Sequence, residues 1–206
     1  MSTQVRQPVL DLDIAAGDHI CAVYSGPAER DAVLRPFLGA GLGAGHKCLF
    51  GLQESGASSL VRTLDMQADV DGCLASQQLQ VLGADEPQFS PEEFSIPEML
   101  AFWDRIVARS RAEGYEFARL GAEAAWWGPQ LPGDEALIDY ESELNTFTAT
   151  QPVAVLCLYE QDDCTGGLVI DLLKTHPRMM IHGQLFENPW YLRPEEFRAL
   201  RRTQGG

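Results

Sequence analysis

The feature that most constrains the fold of this chain is the alternation of short β-rich runs with longer helical patterns. Val153–Tyr159 is continuously apolar, which indicates a strand buried on both faces of a sheet. Such an alternation predicts an α/β domain in three layers, with a mostly parallel central sheet and helices on both faces. The other predicted strands are Ile20–Tyr24, Lys47–Leu52, Leu79–Gly83 and Tyr115–Leu120, with one or two short edge strands within Met179–Phe186.

Helical hydrophobic spacing fills the intervals between these strands. Pro36 should kink the first helix or mark a restart, because proline lacks the backbone donor that a helix interior needs. His176 stands before Pro177 and is expected to end a helix and to interact with the dipole at its C-terminus. The predicted helices are Pro27–Leu42, Ser95–Gly114, Asp134–Thr148, Leu168–Lys174 and a last helix that begins behind Pro194.

Length and charge limit the organisation and the partners. With 206 residues, one domain over residues 14–202 is expected, between flexible ends at 1–13 and 203–206. A net charge of −15 disfavours direct contact with nucleic acid or an anionic membrane surface.

Five cysteines, most of them in or beside apolar runs, suit a reducing compartment. With no signal-peptide pattern and no apolar run near the ~20 residues of a membrane helix, a cytoplasmic protein is expected.

Two segments are candidates for a phosphate-binding loop, and both lack the required cation. Gly51–Ser58 has the glycine spacing of GxxxxGK[ST], but Ala57 takes the place of the lysine. Ser25–Asp31, between the first strand and its helix, has one glycine, no lysine, and acids at Glu29 and Asp31. We therefore expect no tight binding of a magnesium nucleotide. Nor does the sequence contain a GxSxG nucleophile motif, so it predicts no catalytic residue and requires no cofactor.

Seven segments, in the family's order over nearly the whole chain, resemble the MEDS domain (methanogen/methylotroph, DcmR sensory domain). This family is RecA-like and is related to the clock ATPase KaiC. Each segment is short, and it is their ordered set that is specific. They are Gly17–Tyr24, Pro36–Phe50, Leu120–Gly128, Tyr140–Asn145, Pro152–Glu160, Lys174–Pro177 and Asn188–Phe197.

The resemblance implies a RecA-like sensory module without the phosphate-loop lysine, which binds hydrocarbon derivatives and acts beside a transcriptional, kinase or anti-sigma output. We accordingly predict a non-enzymatic regulatory domain that binds a small, largely apolar ligand. Because no DNA-binding or kinase segment is recognisable, its output should pass to a regulatory protein partner or through a homodimer. Where the family usually has a Gly-Glu pair in the loop after its fourth strand, this chain has Gly121, Ala122 and Glu123.

His19 and Cys21 alternate on the first predicted strand, so their side chains point to the same face. They match the signature of the resembled family and are the first candidates for the ligand site. The pair also suggests a soft metal, with a third ligand from His46, Cys157 or Glu123. A capped histidine beside a buried cysteine is the structural alternative, because two ligands cannot close a zinc site.

The remaining candidates follow the carboxyl ends of strands, where open α/β sheets place their ligands. Glu123 and two indoles are expected in a loop over Gly121–Trp127, where they would enclose a small apolar or cationic molecule. The structural alternative, which the sequence favours equally, is that one indole belongs to the core and Glu123 caps a helix. The complete predicted pocket is His19, Cys21, Tyr24, Glu123, Trp126, Trp127 and Tyr159.

Four other functions remain open at this point. The chain could be a degenerate nucleotide-binding protein or ATPase of the KaiC type, or a metal-binding redox sensor that uses His19 and Cys21. It could be a hydrolase that uses Glu123 or the pair of His19 and Cys21. It could also be a scaffold that binds only protein, in which case pocket substitutions such as Trp126→Ala would leave partner affinity unchanged.

Overall fold

A computed structural model of the chain describes residues 13–52, 54–64, 69–83, 95–125 and 133–204. The strands are β1 (His19–Tyr24), β2 (Lys47–Gly51), β3 (Leu79–Leu82), β4 (Ala118–Glu123), β5 (Val153–Glu160), β6 (Arg178–Ile181) and β7 (Gln184–Glu187). The helices are α1 (Gly26–Gly43), α2 (Glu54–Leu64), α3 (Val70–Ala75), α4 (Ile96–Ala112), α5 (Asp134–Thr148), α6 (Gly166–Thr175) and α7 (Pro194–Gln204). No helix among these residues is both long and apolar enough to span a membrane.

The strands form one seven-stranded sheet in the order β3-β2-β4-β5-β1-β6-β7. Every neighbouring pair is parallel except β6 and β7, which form an antiparallel edge. In the register of β1 and β5, Cys21 lies opposite Cys157, and Val23 opposite Tyr159. The predicted mostly parallel α/β sheet and the predicted pair of edge strands are therefore confirmed.

Two separate apolar cores cover the two faces of the sheet. On one face, Ile20 and Leu156 pack with residues of α1, α2 and α3 such as Phe37 and Leu60. On the other face, Val155 packs with residues of α4 to α7, including Leu144. Because side chains alternate along a strand, successive residues of β1, β4 and β5 point to different cores.

Helix α1 continues through Pro36 without a restart. Its buried residues lie on both sides of the proline, with Leu34 before it and Phe37 after it, both fully buried against the sheet. The burial of these side chains offsets the ~3 kcal/mol that an interior proline costs a helix. Of the two alternatives predicted for Pro36, a kink or a restart, the structure excludes the restart.

Strand β4 begins and ends later than the sequence pattern predicts. Gly121 and Glu123, which we expected in a loop, belong to the strand, and the Glu123 side chain is buried. A Cβ on Gly121 would lie 2.1 Å from the Leu156 carbonyl oxygen and 2.4 Å from the Phe50 ring. Glycine is needed here because the neighbouring strand approaches too closely for a side chain, so in this case it does not mark the end of a strand.

The ends of the chain are only partly described. Residues 1–12 and 205–206 lie outside the described residues; they make up all but one residue of the predicted N-terminal flexible end and half of the predicted C-terminal one. At the C-terminus, α7 continues to Gln204, so residues 203 and 204 are helical.

Candidate functional site

Four buried side chains with metal-binding atoms converge between the sheet and helices α5 and α6. His19 comes from β1, Glu141 from α5, Cys157 from β5, and His176 directly follows α6. One nitrogen, oxygen or sulfur atom of each lies within 4.8 Å of the corresponding atom of every other. We call these four residues the buried donor cluster.

The Glu141 carboxylate is the centre of this cluster. Its Oε2 lies 3.0 Å from His19 Nε2, 3.1 Å from His176 Nε2 and 3.4 Å from the Cys157 sulfur. Its Oε1 accepts a hydrogen bond from the Tyr159 hydroxyl. Although burial alone would raise the pKa of Glu141, the neighbouring His176 and His19 side chains hold it well below its ordinary value. The Glu141 carboxylate is therefore the shared neighbour of four buried polar side chains.

The two histidines are oriented by acceptors at their other ring nitrogen. His19 Nδ1 is 3.1 Å from the Asn145 side-chain oxygen, and His176 Nδ1 is 2.9 Å from the Leu172 carbonyl oxygen. The Asn145 amide nitrogen donates to three backbone carbonyls, which fixes its oxygen toward His19. Burial, and then the neighbouring His176, lower the pKa of His19.

The local fold explains how these groups meet. Strands β1 and β5 are adjacent, and alternation places His19, Cys157 and Tyr159 on the face that α5 covers. On α5, Glu141 lies one turn after Leu137 and three residues before Leu144, so it belongs to the buried stripe of the helix. His176 ends α6 in an extended conformation, which directs its ring toward Glu141.

A small cavity of about 20 Å³ lies beside the cluster, between α4, α5 and the last residues of β4 and β5. Its lining includes Glu141, Cys157 and Tyr159, together with Trp103, whose indole nitrogen donates to the Tyr140 hydroxyl. This volume is enough for about one water molecule.

A larger cavity of about 450 Å³ opens between β2, β3 and α4, away from the donor cluster. Phe102 and Leu82 supply apolar lining, and Lys47 and Arg109 supply positive charge. Both cations are paired with Glu113, at 2.6 Å and 2.8 Å.

The sequence-predicted site residues fall on two faces of the sheet. His19 and Tyr159 both contact Glu141. His19 belongs to the donor cluster, and Tyr159 lies next to it. Cys21 is fully buried on the same face, but it is not one of the four converging donors. His19 and Cys21 do point to the same face, as predicted. The sulfur that joins His19 in the cluster, however, is that of Cys157, 3.5 Å from His19 Nε2.

Tyr24 and Glu123 lie on the opposite face, beside α1. The Tyr24 hydroxyl donates to Glu123 Oε1 at 3.0 Å, and Arg30 reaches the same oxygen at 3.3 Å. Arg30 also pairs with Asp31 at 2.9 Å. This buried ion-pair network is separated from the donor cluster by the sheet. The predicted pocket residues Trp126 and Trp127 lie outside the described residues.

The amino end of α1, where a nucleotide-binding relative would hold phosphate, is occupied by carboxylates of this chain. The backbone amide of Gly26 donates to both oxygens of Glu160, at 3.0 and 3.2 Å. The amide of Ser25 donates to Glu29 at 2.9 Å. Helix N-termini attract anions, and at this helix the anions are the side chains of Glu160 and Glu29.

Sequence reasoning did not propose Glu141 or Asn145 as site residues, although both lie in the segment Tyr140–Asn145 that resembles the MEDS domain, and it interpreted His176 as a helix terminator. The available signal was an acid on the apolar stripe of a helix, because glutamate is seldom fully buried without a partner. His176 does contact the last turn of α6 as predicted, but its second nitrogen faces the cluster.

Comparison with known proteins agrees with this architecture. FlaH, a flagellar accessory protein from Methanocaldococcus jannaschii, superposes with a TM-score of 0.51 at 11% identity, over 84% of this chain and 76% of its own. FlaH is RecA-like, and so is the fold of this chain.

In sequence, the transcriptional repressor DcmR of Methylorubrum extorquens is 28% identical over 173 residues, which are 83% of this chain and 62% of the repressor. This chain thus matches less than two thirds of the repressor's length. The sequence profile of the methanogen/methylotroph, DcmR sensory domain matches residues 18–177. The chain therefore belongs to the MEDS family of sensory domains.

Proposed function

We propose that this chain is a non-enzymatic regulatory domain that senses a small, largely apolar ligand at the buried donor cluster and its cavity. The observation that carries the proposal is a buried carboxylate within about 3 Å of two buried histidines, beside a mainly apolar core. Apolar side chains of similar volume usually stabilise a core as well as or better than a buried ionic group does. Such a cluster is therefore better explained by recognition than by stability.

The size of the cavity indicates how binding would be transmitted. Space for about one water cannot hold an organic molecule of several heavy atoms, so a ligand must displace side chains of α4 or α5. Trp103 and Leu144, which line the cavity from these helices, are the side chains that would move. A ligand that binds only the displaced arrangement shifts the population toward it, and a partner can read this shift.

The output is proposed to pass to another protein, either a regulatory partner or a second copy of the chain. The net charge of −15 opposes direct binding to DNA. The matched relative is a transcriptional repressor, which supports a partner concerned with transcription.

Native mass spectrometry of freshly purified protein tests for a copurifying molecule and gives the subunit count in the same spectrum. A panel of short-chain alcohols, halides, ketones and thiols can then be screened by thermal shift and by tryptophan fluorescence, to which Trp103 contributes together with the three other tryptophans of the chain. Ala122→Val should block the response by filling the cavity, whereas Ala154→Val, at a buried position on the opposite face of the sheet, should not. A response that survives Ala122→Val and disappears with Phe102→Ala would place the ligand in the larger cavity and contradict the proposed site.

The competing function is residual nucleotide binding. Glu160 on the Gly26 amide disfavours it, because the amide that would contact phosphate is already paired with an anion. Addition of Mg-ATP should leave the melting temperature unchanged. Stabilisation by Mg-ATP that is enhanced in Glu160→Gln would instead support a degenerate nucleotide site.

A further inference from the structure

We propose that His19, Glu141, Cys157 and His176 bind one divalent transition-metal ion of the zinc type. The site itself stands on geometry, and only its role as the point of ligand recognition rests on the proposed function. All four residues are buried, and one donor atom of each lies within 4.8 Å of those of the other three.

Four of the six separations between donor atoms are close to the edges of a metal-centred tetrahedron, and the other two are no longer than 4.8 Å. With zinc bond lengths, two nitrogen or oxygen ligands should lie about 3.3 Å apart, and a sulfur about 3.5 Å from either. The structure has 3.0 and 3.1 Å between Glu141 Oε2 and the two Nε2 atoms. The Cys157 sulfur lies 3.4 Å from Glu141 Oε2 and 3.5 Å from His19 Nε2.

The hydrogen bonds outside the cluster provide an independent argument. Of the two groups near His176 Nδ1, the Leu172 carbonyl oxygen is the closer at 2.9 Å and can only accept, which favours a proton on Nδ1; the Thr175 hydroxyl lies at 3.2 Å. The Asn145 oxygen likewise requires a proton on Nδ1 of His19. In the neutral rings, both Nε2 atoms then present lone pairs toward a carboxylate oxygen about 3 Å away. Lone pairs that face one another at this distance repel unless a cation lies between them.

A proton on each Nε2 is the alternative cation, but it would create two imidazolium ions. The ring centroids of His19 and His176 are 4.1 Å apart, and both rings are fully buried. Moreover, His176 Nε2 makes no hydrogen bond of acceptable geometry within the described residues, despite its ion-pair distance from Glu141. One metal ion would satisfy both nitrogens, the carboxylate and the thiolate together.

The surroundings are those that metal sites commonly have. Metal-bound histidines usually donate their second nitrogen to a carbonyl or side-chain oxygen, which fixes the ring. Asn145 and Leu172 have this role here, and the Tyr159 hydroxyl orients the carboxylate. The mixed nitrogen, oxygen and sulfur donors favour zinc over the hard cations magnesium and calcium. The adjacent cavity would give a small ligand access to the metal.

Elemental analysis of protein purified without chelator is the first test, with one zinc ion per chain expected. Protein produced in cobalt-supplemented medium is the second test. It should show the intense visible bands of tetrahedral Co²⁺ and a near-ultraviolet thiolate-to-cobalt charge-transfer band. Cys157→Ser should lose the charge-transfer band, while Cys48→Ser, which alters a buried thiol on the opposite face, should retain it.

His176→Gln should lose the bound metal, and the exposed control His182→Gln should keep it. Asn145→Leu leaves all four ligands in place but removes the acceptor for His19, so the affinity for Co²⁺ should fall by about 10 to 100-fold. Folded protein that contains no metal, and whose melting temperature and spectrum do not change when Zn²⁺ or Co²⁺ is added during refolding, would overturn the proposal. A charge-transfer band that persists in Cys157→Ser would also overturn it.

These results separate the metal site from the sensory function. If the protein lacks metal but responds to a small molecule in a manner blocked by Ala122→Val, the metal is wrong and the sensor stands. If the metal binds and no small molecule or partner affects it, the ion is structural and the sensory proposal fails.

Discussion

Replacement of Glu141 by alanine tests whether the buried carboxylate is charged and holds its neighbours in place. The substitution leaves His19, His176 and the Tyr159 hydroxyl without their common acceptor inside the core. Removal of one partner from a buried ionic group costs about 3 to 5 kcal/mol of unfolding free energy. At roughly 2 to 4 °C per kcal/mol for a domain of this size, the melting temperature should fall by about 6 to 20 °C.

Urea and thermal unfolding should be measured in chelator-treated protein, so that metal binding does not contribute. Glu143→Ala is the matched control, because Glu143 lies on the same helix but forms only a surface pair with Arg198. Its loss should cost no more than about 1 kcal/mol. Tyr159→Phe combined with Glu141→Ala should cost less than the sum of the single changes, because both remove the same hydrogen bond. A Glu141→Ala protein as stable as the wild type would refute the assignment of a charged, hydrogen-bonded carboxylate.

Three further predictions concern other parts of the molecule. Gly121→Ala should destabilise the protein by about 1 to 3 kcal/mol or more in urea unfolding, because the new Cβ would lie 2.1 Å from the Leu156 carbonyl oxygen. The control Gly43→Ala places a Cβ in open space at the end of α1 and should be neutral or stabilising. Equal effects of the two substitutions would contradict the close approach of the strands. Lys47, and then Arg109, hold the pKa of Glu113 below its ordinary value. The contribution of this pairing to the free energy of unfolding is therefore fully present above the unfolded pKa of about 4.3. It is lost as the pH falls through the lower pKa of the folded state. Below about pH 5, the wild type should therefore lose more stability than Glu113→Gln. Burial raises the pKa of all five thiols, but only Cys73 and Cys164 are partly exposed. A disulfide reagent should therefore modify only Cys73 and Cys164 in native protein, and rapid modification of a third thiol would contradict the described core.

The fold could be predicted largely from the sequence because hydrophobic periodicity reports burial directly. The uninterrupted apolar run at Val153 indicated a central strand, and β5 lies between β4 and β1. The predicted bounds of α5, from Asp134 to Thr148, are those of the structure. Periodicity failed at Gly121, because a glycine that admits a neighbouring strand and a glycine that ends one have the same letter in a sequence.

The candidate site could be predicted only in part. His19 and Tyr159 were found because strand alternation and strand ends indicate which way a side chain points. Glu141 and His176 could not be placed beside them, since 122 residues separate Glu141 from His19 in the chain and only the packing of α5 across β1 brings them together. Tyr24 and Glu123 were assigned to the same pocket, although the central sheet separates them from His19. Proximity to strand ends does not specify the face.

The contact between Glu160 and the amino end of α1 has a consequence for how such a domain would behave in a cell. A RecA-like fold that holds its own carboxylate in this position has a permanent internal competitor for phosphate. Changes in the ratio of ATP to ADP should therefore leave its conformation unaffected. We expect whatever signal the domain carries to be the same in starved and in growing cells, and to depend only on the concentration of the molecule that it detects.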